Sequence, residues 1–170
     1  GSAAAAMTLP PISASAAARA ERLYHQGIAC LEAGQGQQAE AHLRQALVLA
    51  PQLTRARANL GYVLEERGAW AEAEAAYRRA LAEDPGLGPV WLNLGGLLLS
   101  RGRAEEALPV CLQTLTLLPG AAAAWVNLGA ACICLEDFAQ GERCLLKALC
   151  LEPDRPSAHI NLAYLLLRLP

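Results

Sequence analysis

The chain is short of several residue types, and each shortage argues against a class of function. Lys147 is the only lysine; 14 basic residues stand against 16 acidic ones, for a formal net charge of −2. The arginines are scattered rather than clustered. That argues against nucleic acid or an anionic membrane as partner, because phosphate recognition needs concentrated positive charge. No stretch approaches the ~20 consecutive apolar residues of a membrane-crossing helix. The six cysteines (Cys30, Cys111, Cys132, Cys134, Cys144, Cys150) form no C-x-x-C pair and no Cys/His spacing suited to zinc. They read as small apolar residues of a reducing compartment, with Cys134 expected on a concave surface and most open to oxidation. His25, His42 and His159 have no Ser or Cys in a relay with them, and no glycine loop is arranged to cradle phosphate. The expectation is a protein that is not an enzyme and has no cofactor and no metal.

What the chain has instead is a period. Pro51, Pro85, Pro119 and Pro153 recur at an interval of 34 residues. Gly27, Gly61, Gly95 and Gly129 keep the same interval, with Ala163 next; so do Asn59, Asn93, Asn127 and Asn161, each followed by Leu. A fixed period of this size means stacked supersecondary units. Each unit reads as two helices. Thr54 to Glu66 carries Ala56, Leu60, Val63 and Leu64 at helical spacing, and a second helix from about Trp70 to Ala82 ends at Asp84-Pro85. Gly34, Gly68 and Gly102 mark the stop between the two, where a left-handed residue is needed. Glu136 replaces glycine in the fourth unit and predicts a tighter or more strained turn there. Pro109, inside a second helix, is expected to bend it or delay its start.

Small residues share slots: Ala39, Ala73, Ala107 and Gly141 on one line, Ala46, Ala80, Thr114 and Ala148 on another. They let two backbones approach, and larger residues such as Leu43, Tyr77 and Cys111 fill the spaces beside them. Leu23, Trp91 and Trp125 share a further slot, which Arg57 and His159 break.

The pattern Trp-x-x-Leu-Gly, then a small residue, an apolar or aromatic residue, Ala and Pro resembles the tetratricopeptide repeat. Trp91, Leu94, Gly95, Ala107 and Pro119 carry it in one unit; Leu60, Gly61, Ala73, Tyr77, Ala80 and Pro85 carry it in another. The resemblance implies an all-α, right-handed solenoid of four full repeats and a half: residues 20–53, 54–87, 88–121, 122–155 and the first helix of a fifth over 156–170. Residues 1–6 read as an expression scar before Met7, and residues 1–19 as a flexible arm without the marks of a secretion signal.

In such arrays the first helix of each unit lines the concave surface. The resemblance therefore places Asn59, Asn93, Asn127 and Asn161 in a row along a groove. Helix propensity gives no reason for asparagine there, and each amide can both donate to and accept from the backbone of an extended peptide. Arg55, Tyr62, Leu92, Val126, Ile133 and Tyr164 are the expected neighbours of that ladder. The alternative is that each asparagine ties one repeat to the next. The asparagine-lined groove is also similar to the superhelix of O-GlcNAc transferase-like proteins. The expected function is a scaffold binding a protein or peptide partner in extended form. The alternatives are the recognition arm of a larger enzyme such as a glycosyltransferase, and a self-assembling array. Leu162, Leu165, Leu166 and Leu169 on the last helix are expected to leave an uncapped apolar edge able to pair with another copy. The Ala-, Leu- and Arg-rich composition points to a bacterial source, and the unpaired cysteines to the cytoplasm.

Overall fold

The computed structural model describes residues 12–169, which form nine α-helices and no strand. They fall into two compact units that divide between Ala69 and Trp70. The first holds α1 (Ile12–Glu32), α2 (Gly36–Leu49) and α3 (Thr54–Glu66). The second holds α4 (Trp70–Glu83), α5 (Gly88–Ser100), α6 (Ala104–Leu117), α7 (Ala122–Cys134), α8 (Phe138–Leu151) and α9 (Pro156–Arg168). The expected arm lies partly outside the described residues, over 1–11. The remainder differs from expectation: residues 12–19 are the opening turns of α1. That stretch is rich in alanine, the strongest helix former, and needs no apolar period once it continues a packed helix.

The first helices α1, α3, α5 and α7 end by the same device. Gly34, Gly68 and Gly102 have φ of 71°, 82° and 73°, and Glu136 adopts 63° in the fourth turn. The next residue then donates its N–H back to a carbonyl five positions earlier: Gln35 to Cys30, Ala69 to Leu64, Arg103 to Leu98 and Asp137 to Cys132, at 2.8–2.9 Å. This left-handed cap satisfies carbonyls that the helix end would leave open. Glu136 keeps the hydrogen bonds, but its Cβ stands in a region that disfavours side chains.

Within a repeat the helices close at the small-residue slots. A Cβ placed on Gly27 would sit 3.0 Å from Leu43 Cγ, and one on Gly129 would sit 3.0 Å from Leu145 Cγ and 3.2 Å from the Gly141 carbonyl. Gly95 faces Cys111 Sγ in the same manner, at 3.3 Å. Ala39 and Ala46 on α2, Ala107 on α6 and Ala148 on α8 are fully buried.

The connection between repeats has its own lock, and it explains the two departures from the tryptophan slot. Trp91 Nε1 donates to the Pro85 carbonyl at 2.8 Å, and Trp125 Nε1 to the Pro119 carbonyl at 2.9 Å. Arg57 donates its guanidinium to the Pro51 carbonyl, and His159 Nε2 faces the Pro153 carbonyl at 2.8 Å. A carbonyl can only accept, so His159 carries its hydrogen on Nε2. Arginine and histidine thus replace the indole without changing its task. Of the two effects expected of Pro109, a delayed start is not seen: α6 begins at Ala104 and runs through it.

Replacing Glu136 by glycine should stabilise the protein by about 1 kcal/mol, because the left-handed turn then carries no Cβ penalty. Urea denaturation of E136G against wild type checks this. An unchanged or lowered midpoint would mean that the turn is unstrained.

Candidate binding surface on the first helices

In the second unit the backbone of α5 comes close to that of α7, and α7 to α9, whereas the backbones of α6 and α8 stay further apart. The first helices therefore form the tighter, inner layer of this unit. Asn93, Asn127 and Asn161 lie on that layer, each half-buried. Asn59 lies on α3 in the first unit and is half-buried too.

The four amides are not equivalent. Asn127 Nδ2 donates to the Leu92 carbonyl at 3.3 Å, a bond from one repeat to the preceding one. Asn59 Nδ2 donates one turn back to Arg55 O at 2.9 Å, and Asn161 Nδ2 to Ser157 O at 2.7 Å. The Asn93 side chain has no hydrogen bond among the described residues. A donor is thus engaged at three positions, while the Oδ1 acceptors face no protein donor among the described residues. Asn93 alone keeps both halves of its amide available.

The expected neighbours divide. Leu92 is half-buried, and Tyr62 and Tyr164 are exposed. Tyr164 is held by Arg168, which donates to its hydroxyl and lies 5.0 Å over its ring. Arg55 is already occupied: it pairs with Glu21 and stacks 4.7 Å over Tyr24 on α1. Val126 and Ile133 are a correction. Both are buried, in a cluster with Ala122, Leu145, Ala148, Ala158 and Leu165. Ile133 turns inward because Gly141 leaves it room; a Cβ there would lie 2.7 Å from Ile133 Cγ1. Leu165 is corrected with them, since it belongs to this cluster and is 1% exposed. Leu162 packs half-buried against it, and Leu166 and Leu169 are exposed.

The thiols divide as well. Cys111, Cys132 and Cys144 are buried, and burial pushes Cys111 up to about 12, Cys144 up to about 11 and Cys132 upward too. All three are neutral at neutral pH and unsuited to nucleophilic work. Cys134 and Cys150 are exposed. Cys134, expected on the concave surface, lines a cleft at the turns beside Arg103 and Glu105. Among the described residues no group of three or more His, Cys, Asp or Glu is placed to hold a metal. No described helix is long and apolar enough to cross a membrane.

Two family profiles, both described as tetratricopeptide repeats, match residues 24–87 and 64–115. PilF of Pseudomonas aeruginosa is 30% identical, with 93% of this chain and 71% of that one covered at a TM-score of 0.77. The chain belongs to the tetratricopeptide repeat family. MamA of Desulfovibrio magneticus RS-1 shares the fold at 23% identity, over 88% of this chain and 85% of that one, with a TM-score of 0.82. YrrB, described as a tetratricopeptide protein with an unusual peptide-binding site, is 23% identical over 88% and 76% of the two chains, with a TM-score of 0.76. No curated protein sequence matches the chain. As a tetratricopeptide array the chain is a scaffold for protein–protein interaction.

The unequal amides predict unequal variants. Asn127→Ala should cost about 1 kcal/mol of stability, the worth of one hydrogen bond between repeats. Asn93→Ala should stay within about 0.5 kcal/mol of wild type. Chemical denaturation of both checks this; equal losses would mean that Asn93 also holds the fold.

Proposed function

We propose that the inner layer of first helices binds an extended peptide segment of a partner protein, without catalysing a reaction on it. The observation that carries this reading is the set of unengaged amide oxygens on Asn93, Asn127 and Asn161, one per repeat along α5, α7 and α9. A peptide backbone presents N–H groups that such acceptors suit, whatever its side chains. Asn93, which can also donate, is the anchor. Leu92 on α5 and Tyr164 on α9 supply apolar contact along this layer. Asn127 serves two ends: its N–H sets the spacing of the repeats and its oxygen faces the ligand.

Affinity should be modest, because an unstructured segment loses chain entropy when it is ordered. The test is selection of peptides from a phage-displayed random library on wild type and on Asn93→Ala. Peptides retained by wild type and weakened several-fold on the variant, with stability unchanged, support the reading. Peptides retained equally by both would contradict it.

A further inference from the structure

The internal repeat serves as its own control, and one surface departs from it. In the first repeat Glu40 on α2 is nearly buried and pairs with Arg44 at 3.0 Å and with Arg67 at 3.1 Å. This network borders a cavity of about 300 Å³ whose walls include Leu31 and Val63. One repeat on, Glu74 pairs with Arg78 at 2.8 Å, and Arg101 lies 5.5 Å over the ring of Trp70. At the same three slots of the next repeat stand Leu108, Leu112 and Leu135. The fold does not require leucine there, since a charged set fills those slots twice.

The three leucines, with Leu128 and Cys132, line a cavity of about 330 Å³ between α6, α7 and α8. Leu112 is 51% exposed and Leu135 37% exposed, so the cavity opens to solvent. A pocket of this size takes one or two apolar side chains. Leu135 also forms the wall of a second cleft, of about 410 Å³, that holds Glu105, Glu106 and Arg103. Arg103 is already engaged by Glu74 and Glu106. Glu105, Glu136 and Asp137 have no basic partner among the described residues. Asp137 stands at the mouth of the apolar pocket, its Oδ1 accepting from Gln140 N–H at 3.2 Å. An apolar pocket thus adjoins a surface of unneutralised carboxylates.

We propose that this outer surface is a second binding site, distinct from the inner layer, for a segment of a partner protein that carries an apolar side chain next to Lys or Arg. The apolar side chain enters between Leu112 and Leu135. The basic neighbour lies over Glu105 on one side or Glu136 and Asp137 on the other. The pocket supplies affinity and the carboxylates supply selection, because an acidic segment would meet like charge.

The test uses the same random peptide library, with two variants that rewrite the site. Leu112→Arg changes one half-exposed residue, and the triple variant L108E/L112R/L135R installs the charged set of the first repeat. Circular dichroism and the denaturation midpoint show whether each is folded. The expected result is a class of wild-type-selected peptides with an apolar residue adjacent to Arg or Lys. A synthetic member should bind Leu112→Arg about tenfold more weakly, bind Asn93→Ala normally, and weaken as salt rises. Three results would overturn the proposal: no such class among the selected peptides, equal binding to Leu112→Arg, or a doubling of the wild-type mass in solution that Leu112→Arg abolishes. The last would make the surface a contact between copies of this chain.

Discussion

The structure depends on how closely the paired helices α1 and α2, α5 and α6, and α7 and α8 can approach. The approach is set at one slot, occupied by Gly27, Gly95 and Gly129, where the opposing side chain stands 3.0–3.3 Å from the place a Cβ would occupy. Because the slot recurs every 34 residues, the close approach recurs with it, and the first helices of the second unit come to lie side by side as an inner layer. The asparagines share those helices. Their position is therefore a consequence of helix packing, and only their free amide atoms need a functional explanation.

Around that constraint the repeat tolerates changes of residue when the chemistry is kept. The proline carbonyl before each first helix receives a hydrogen bond from an indole, a guanidinium or an imidazole. The left-handed cap is made by three glycines and a glutamate with the same hydrogen bonds. Where the chemistry itself changes, as at Leu108, Leu112 and Leu135, the fold persists but the surface does not. Such a place carries information about binding that the fold does not need.

This also explains what could be read from the residues alone. Proline, glycine and the small-residue slots act through local geometry, so helix limits and the repeat were legible to within a residue or two. Arg57 and His159 looked like defects because identity was compared rather than donor capacity. Val126 and Ile133 were assigned to the inner surface by register, yet Gly141, on the facing helix, opens the space that Ile133 fills. That exchange depends on two positions at once, and a slot-by-slot reading does not see it. The opening turns of α1 were missed because alanine favours helix without leaving a period. The outer leucine pocket was missed because it is assembled from α6, α7 and α8, three segments that the sequence presents separately.

The close approach is tested most directly at the slot that sets it. Equilibrium denaturation should compare Gly129→Ala with Gly36→Ala. At Gly129 a Cβ would fall 3.0 Å from Leu145 Cγ and 3.2 Å from the Gly141 carbonyl, while at Gly36 nothing lies within 4 Å. A close approach fixed by glycine predicts a loss of about 1–3 kcal/mol for Gly129→Ala and no loss, or a gain of a few tenths, for Gly36→Ala. Equal stability of the two variants would contradict it, and the helix pairing would then owe little to the small-residue slot.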